Sequence, residues 1–199
     1  MFSYFKLIDE VNYETIIKAE GAKQYRYIYG VNEWKPTGLL LLYHTEGTVE
    51  YEKYVKISYE EACIIIERKK IEMQYLKTLC EQKIMTISRS LNTYKGLAKT
   101  QFEDEEVNIV AMLYYLYLNQ NIDIHNLEKE GFTKRIIKSL AILIHNTNIE
   151  EEEQLENIID DDCANSIKQL EINMLLETLS PLRQEYKRYK EILEYMIEE

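Results

Sequence analysis

The chain has 199 residues, of which 46% are hydrophobic and 30% are charged, a balance that excludes an intrinsically disordered protein and predicts one sizeable core. The formal net charge of −11, from 35 acidic and 24 basic residues, argues against direct nucleic-acid binding, since each phosphate contact needs a lysine or arginine. A protein partner with a basic surface fits this charge better. The chain contains only 6 Gly and 2 Pro, which favours a mainly α fold.

The cysteines and the apolar runs predict where the protein resides. Cys63, Cys80 and Cys163 are odd in number and widely spaced, which indicates free thiols in a reducing compartment. No apolar run is long enough to cross a membrane, and the N-terminus lacks the basic and apolar regions of an export signal. We therefore expect a cytoplasmic protein, in its own cell or in a host cell, with no membrane partner.

The first segment, residues 1–57, predicts a small α+β module. Residues 7–21 read as a short helix that ends near Gly21. Residues 25–31, 39–45 and 49–55 read as strands of an antiparallel meander, because they are rich in Tyr, Val, Leu and Ile. Turns are predicted between these strands at residues 32–38 and 46–47.

The second segment, residues 58–104, predicts a connecting helix or helix pair. Ser58 and Glu61 have the spacing of a capping box, so a helix should begin there. Apolar residues then keep helical spacing for about 30 residues, as one long helix or as two helices that break near Gln82. Gly96 should end this region.

The third segment, residues 105–199, predicts a bundle of medium helices. Asp123 and Thr133 have the positions of helix N-caps, and Gly131 that of a left-handed helix end. Ser180 and Pro181 should begin the last helix. The predicted helices are residues 105–120, 124–130, 133–146, 150–159, 163–177 and 181–197.

Within this bundle, the stretch AMLYYLYLNQNIDIHNLEKEGFTKRIIKSLAILIHN resembles the centre of HD-domain phosphohydrolases of the RelA/SpoT-like alarmone-hydrolase kind. The stretches CANSIKQLEINMLLETL and LRQEYKRYKEILEYM are similar to later helices of that family. The resemblance covers residues 105–196 and implies an HD-like helical bundle. In that family a His-Asp pair, an earlier His and a late Asp hold a divalent metal that activates water.

The implied metal ligands are not retained here. The resemblance places the His-Asp pair at Tyr114 and Tyr115, the acidic pair one turn later at Leu118 and Asn119, and the late Asp at Glu171. A neutral phenol is a poor ligand for such a metal, and two rings would fill the cleft. The resemblance therefore implies a pseudoenzyme with a vestigial cleft, without catalytic residues, metal or cofactor.

A run of eight carboxylates occupies residues 149–162. One interpretation is a solvated helix face; the other is an acidic patch that binds a basic surface on a partner. We expect structural roles for His44, His125, His145 and Cys163. The candidate patch comprises Glu150, Glu151, Glu152, Glu153, Asp160, Asp161 and Asp162.

These observations support three functional hypotheses. The first is a non-catalytic binding protein that docks an acidic, tyrosine-rich surface on a partner, as an inhibitor of a nucleic-acid-handling protein of the antitoxin or phage anti-defence type. The second is a nucleotide sensor that stacks a purine base on Tyr114 or Tyr115 in the vestigial cleft. The third is an active phosphohydrolase with a rearranged site.

Overall fold

A computed structural model describes residues 2–85, 100–119, 122–144, 150–178 and 184–198. The chain divides into two compact units. The N-terminal unit comprises Met1–Leu76 and Glu103–Glu105, and the C-terminal unit comprises Lys77–Phe102 and Glu106–Glu199. The predicted class is confirmed at this level, because the described residues are mainly helical and the strands all lie near the N-terminus.

The N-terminal unit is built on one antiparallel sheet of five strands in the order β4-β3-β2-β1-β5. A short helix, α1, precedes the last strand, and a long helix, α2, follows it. The bounds are β1 Ser3–Leu7, β2 Ile16–Glu20, β3 Lys23–Ile28, β4 Glu33–Pro36, α1 Leu39–His44, β5 Tyr54–Ile57 and α2 Tyr59–Met85.

Helices cover both faces of this sheet. On one face Leu7 and Ile17 pack with Leu40 and Tyr43 of α1. On the other face Ile16, the neighbour of Ile17, packs with side chains of α2. Successive side chains of a strand point to opposite faces, so two adjacent isoleucines serve two separate cores. The α2 residues in the second core are Ala62 and Ile66.

Several predictions for the N-terminal unit are wrong. The strand predicted at residues 49–55 is found only at its end, because residues 49–52 form turns and β5 begins at Tyr54. Residues 7–21 form the end of β1, a turn and β2 instead of a helix, because the Asp9 carboxylate accepts hydrogen bonds from the backbone N–H groups of Val11 and Asn12. Residues 39–45 hold α1 instead of a strand, since a run of four leucines has no period that distinguishes the two. The predicted turn at residues 32–38 also contains β4, so the meander has more strands than expected.

The capping box at the start of α2 is confirmed. The Ser58 hydroxyl accepts from the Glu61 N–H at 3.1 Å, and the Glu61 carboxylate accepts from the Ser58 N–H at 2.9 Å. The helix continues without interruption through Gln82, so the alternative of a break there is wrong. Gly96 lies outside the described residues.

The C-terminal unit is helical, and α6 packs against α4, α5 and α7. The caps at Asp123 and Thr133 are confirmed, and Gly131 has a φ of +94°. The predicted helix 124–130 is only a 3₁₀ turn at Ile124–Asn126. Ser180 and Pro181 lie outside the described residues. The bounds are α3 Glu105–Leu118, α4 Lys134–Leu143, α5 Glu151–Ile159, α6 Asp162–Thr178 and α7 Gln184–Glu198.

No helix in the described ranges combines the length and apolar character that a membrane span requires.

Candidate functional site

Helix α3 carries the tyrosine pair and is buried around its whole circumference. Every residue from 107 to 116 is buried, which fits a helix whose sequence is apolar on all sides. Tyr114 is 5% exposed and Tyr115 is 2% exposed. Base stacking on either ring would require a rearrangement of the side chains around α3.

The Tyr114 side chain contacts Glu171, the residue at the position of the implied late Asp. Its hydroxyl lies 3.2 Å and 3.3 Å from the two carboxylate oxygens of Glu171 on α6. The Glu171 side chain is buried, at 4% exposure for the whole residue. The structure thus brings together two residues that stand 57 positions apart in the chain.

The Glu171 charge has a cationic partner that the sequence reasoning missed. Lys168 donates a hydrogen bond from Nζ to Glu171 Oε2 at 2.7 Å, one helical turn earlier on α6. A lysine and a glutamate at i and i+3 lie on the same helix face, so this spacing in the sequence could have predicted the ion pair. A buried carboxylate needs such compensation, because an isolated buried charge is strongly unfavourable. Tyr114, Lys168 and Glu171 form what we call the tyrosine–carboxylate cluster.

The other residues of the predicted cleft do not join this cluster. Tyr115 lies on a different side of α3, since consecutive residues of a helix differ by about 100°. The Asn119 side chain donates to the Tyr115 carbonyl at 2.7 Å and so helps to end the helix. Leu118 is half-buried in the last turn of α3.

The cluster leaves little room for a cation beside Glu171. Both carboxylate oxygens are engaged by Tyr114 and one of them also by Lys168, so a metal ion would have to displace the ammonium group. Within the residues that the structure describes, no group of three or more His, Cys, Asp and Glu side chains is arranged to hold a metal ion.

The candidate acidic patch separates into two groups at the two ends of α5. Glu150, Glu152 and Glu153 are exposed around the start of this helix, where its dipole favours negative charge. Asp160 and Asp162 are exposed near its end, about 13 Å away at 1.5 Å per residue. In the described part of the chain, none of these five carboxylates has an ion-pair partner. The Glu151 side chain lies outside the description.

Asp161 has a structural role within the run. One of its carboxylate oxygens accepts from the Ala164 N–H at 2.9 Å, at the start of α6, and the other accepts from the buried Ser139 hydroxyl of α4 at 3.1 Å. The side chain therefore ties α4 to the α5–α6 junction. Each of its two carboxylate oxygens is thus engaged in a hydrogen bond within the fold.

The remaining candidate residues show ordinary structural environments. His44 is exposed and its ring packs edge-on against Tyr54, with 4.8 Å between centroids. His125 is exposed and donates its backbone N–H to Asp123. Cys163 is buried, while His145 lies outside the described residues. Burial raises the pKa of the Cys80 thiol to about 12, so this residue stays protonated and is a poor nucleophile.

No protein-family model matches this chain. No curated protein sequence matches it either.

Proposed function

We propose that the protein is a non-catalytic binding protein whose helical unit is a degenerate HD-like bundle. The contact between Tyr114 and Glu171 carries this proposal. The HD resemblance assigns these two distant positions to one metal site, and their side chains lie within hydrogen-bond distance. An accidental similarity between helices would not be expected to pair them.

The chemistry at this position supports binding or structural work instead of hydrolysis. In the family that this bundle resembles, water is activated by a metal that histidines and carboxylates hold, with an open coordination position. Here a phenol and an ammonium group occupy the surroundings of the one carboxylate. The hydrogen bonds of the cluster join α3 to α6.

Calorimetric titration with Mn²⁺ tests this part of the proposal. We expect no micromolar binding by the wild-type protein and no phosphodiester or pyrophosphate hydrolysis in the presence of the metal. Micromolar binding that disappears in Glu171→Gln, accompanied by metal-dependent hydrolysis, would overturn it. The variant Glu191→Gln on the exposed side of α7 is the matched control.

For the partner, we propose a protein with a basic surface, recognised by the exposed carboxylates at the start of α5. The net charge of −11 supports this choice, as does the lack of an ion-pair partner for Glu150, Glu152 and Glu153 among the residues that the structure describes. A protein that handles nucleic acid has such a surface, and occupying it would inhibit nucleic-acid binding. This proposal includes an inhibitor of the antitoxin or phage anti-defence type.

Affinity capture with a charge-neutralised variant tests the proposed surface. The triple substitution Glu150→Gln, Glu152→Gln and Glu153→Gln should abolish capture of a basic protein, and raising the salt concentration should weaken capture by the wild type. A control with the same charge change elsewhere should leave capture intact. It combines Glu128→Gln, Glu191→Gln and Glu194→Gln, all at exposed positions. Equal capture by both triple variants would contradict charge-led recognition at α5.

A further inference from the structure

The hairpin formed by β3 and β4 carries two cations directly opposite each other. Arg26 of β3 and Lys35 of β4 are cross-strand partners, and β4 is an edge strand of the sheet. Ile17 is the partner of Arg26 on the other side, so both cations lie on the face of the sheet that α1 covers at Ile17. Like charges in directly opposite positions repel each other and weaken strand pairing. A negative charge on this face would therefore stabilise the hairpin.

Two successive carboxylates from a distant part of the chain supply this charge. Asp104 Oδ2 lies 2.5 Å from the Arg26 guanidinium group, and the two side chains are mostly buried, at 13% and 17% exposure. Glu103 Oε2 lies 2.9 Å from Lys35 Nζ in a more exposed ion pair. Glu103–Glu105 form part of the N-terminal unit, and we call this segment the acidic strap.

The backbone of the acidic strap lies against the turn between β3 and β4. Gly30 is in this turn, and a Cβ atom on it would lie far inside van der Waals contact with the Glu103 carbonyl group and 3.2 Å from the Glu105 nitrogen. Gly30 does not have the positive φ that requires glycine at other turns of this chain. The space that the strap occupies, and not backbone strain, therefore excludes a side chain at this position.

We propose that the acidic strap is a salt-sensitive conformational device, which keeps the β3–β4 hairpin paired and releases it when the two ion pairs are lost. The edge strand β4 has only four residues, so few ladder hydrogen bonds retain it. Short segments of this kind open locally at a low cost in free energy. The strap opposes this opening because it neutralises the repulsion between Arg26 and Lys35 and packs against the turn at Gly30.

Hydrogen exchange of the full chain, followed in peptides that cover residues 23–36, measures how often the hairpin opens. Asp104→Asn keeps the size of the side chain and removes its charge, so exchange in these peptides should become about five- to thirtyfold faster. Peptides that cover residues 100–106 should accelerate in parallel, because the strap and the hairpin separate from each other in the same event. Peptides that cover β5, at the opposite edge of the sheet, should keep the wild-type rate.

Two controls separate the ion pairs from a general loss of stability. Glu46→Gln, at an exposed glutamate of the same unit, should leave exchange in the hairpin unchanged. In an Arg26→Gln background, Asp104→Asn should change the exchange rate less than about twofold, since the carboxylate has already lost its cation. Raising the salt concentration from about 0.05 M to 0.5 M should accelerate exchange in the wild type but not in this double variant. Unchanged exchange in Asp104→Asn, or equal acceleration in both backgrounds, would overturn the proposal.

A pair of alanine variants tests the backbone contact by the same exchange measurement. Gly30→Ala should displace the strap and accelerate exchange in the hairpin at least about fivefold, because the new methyl group and the Glu103 carbonyl cannot share one space. Gly38→Ala is the matched control, since its Cβ would meet only the Leu41 side chain at an ordinary 3.8 Å. It should leave the hairpin at the wild-type rate. Equal exchange in the two alanine variants would contradict the role of the strap at this turn.

Discussion

In the described part of each unit, a buried carboxylate accepts a hydrogen bond from a buried tyrosine, but the two carboxylates are compensated differently. In the N-terminal unit, Asp9 accepts from the Tyr43 hydroxyl and from two backbone N–H groups. In the C-terminal unit, Glu171 accepts from Tyr114 and from the Lys168 ammonium group. The charge of Asp9 is compensated by N–H and O–H dipoles, and its hydrogen bonds form a turn. The charge of Glu171 is compensated by the Lys168 ammonium group, and its hydrogen bonds join two helices.

A hydrogen bond from a tyrosine hydroxyl to a carboxylate therefore has a different structural role in each unit. One Asp9 oxygen accepts from the residues that follow it and forms a local turn, while the other accepts from Tyr43 and attaches this turn to α1. Glu171 takes one contact from its own helix and one from α3, so its role is tertiary. The resemblance to metal hydrolases concerns only the second of these carboxylates.

Removing Asp9 should give the largest effect. We expect Asp9→Ala to lower the free energy of unfolding by about 2–4 kcal/mol, because the turn loses two backbone acceptor contacts and Tyr43 loses its acceptor. Asp9→Asn retains an acceptor oxygen and should lose less than half as much. Urea denaturation of both variants measures the difference. Equal losses would show that charge, and not turn geometry, is what the carboxylate supplies.

Removing Lys168, the cation beside Glu171, should give the next largest loss in the free energy of unfolding. Lys168→Met should cost about 1–3 kcal/mol, because Glu171 then remains buried with only the Tyr114 hydroxyl as a donor. The double variant Lys168→Met/Glu171→Met should recover most of this loss, and Lys129→Met at an exposed position should change little. Thermal and urea unfolding together measure these values. A loss below about 0.5 kcal/mol in Lys168→Met would exclude charge compensation by this lysine.

The pH dependence of the free energy of unfolding should distinguish Tyr43, which is bonded to Asp9, from the exposed tyrosines. Burial raises the pKa of Tyr43 above its ordinary value of 10.0, and the hydrogen bond to Asp9 raises it further. The stabilisation that depends on the protonated hydroxyl is therefore fully present below pH 10 and is lost as the pH rises above it, because only the unfolded chain then releases this proton.

Urea denaturation at pH 7.5 and pH 10.5 measures this effect. The wild type should lose about 1 kcal/mol more between these pH values than Tyr43→Phe, which has no hydroxyl to titrate. Tyr195→Phe, at an exposed position on α7, should lose as much as the wild type. The same loss in all three proteins would contradict a raised pKa at Tyr43.

The smallest effect is expected at the tyrosine of the C-terminal cluster. Tyr114→Phe should lower the free energy of unfolding by about 0.5–1 kcal/mol, because Lys168 still compensates Glu171 after the hydroxyl is lost. Combining Tyr114→Phe with Lys168→Met should cost more than the sum of the two single changes, since no donor then remains at the carboxylate. Additivity in this double-mutant cycle would show that the two donors act independently.

Local signals predicted much of the helical part. The capping box at Ser58, the caps at Asp123 and Thr133 and the left-handed Gly131 follow from residues within a few positions of each other. The N-terminal unit was predicted less well. The helix expected at residues 7–21 is replaced by two strands, because the Asp9 turn and pairing with other strands outweigh local helix propensity.

Composition and short-range hydrogen bonding are sufficient to predict the mainly α class, the positions of the helix caps and the acidic character of the α5 region. Tertiary packing decides that Tyr114 contacts Glu171, that both Asp161 oxygens are engaged and that Ile64, Ile71 and Tyr75 on α2 are exposed. These features depend on contacts between residues far apart in the chain, or on which side of α2 the sheet covers. Helical periodicity separates these three α2 residues from Ala62, Ile66 and Met73 on the opposite side, but packing determines which side is buried.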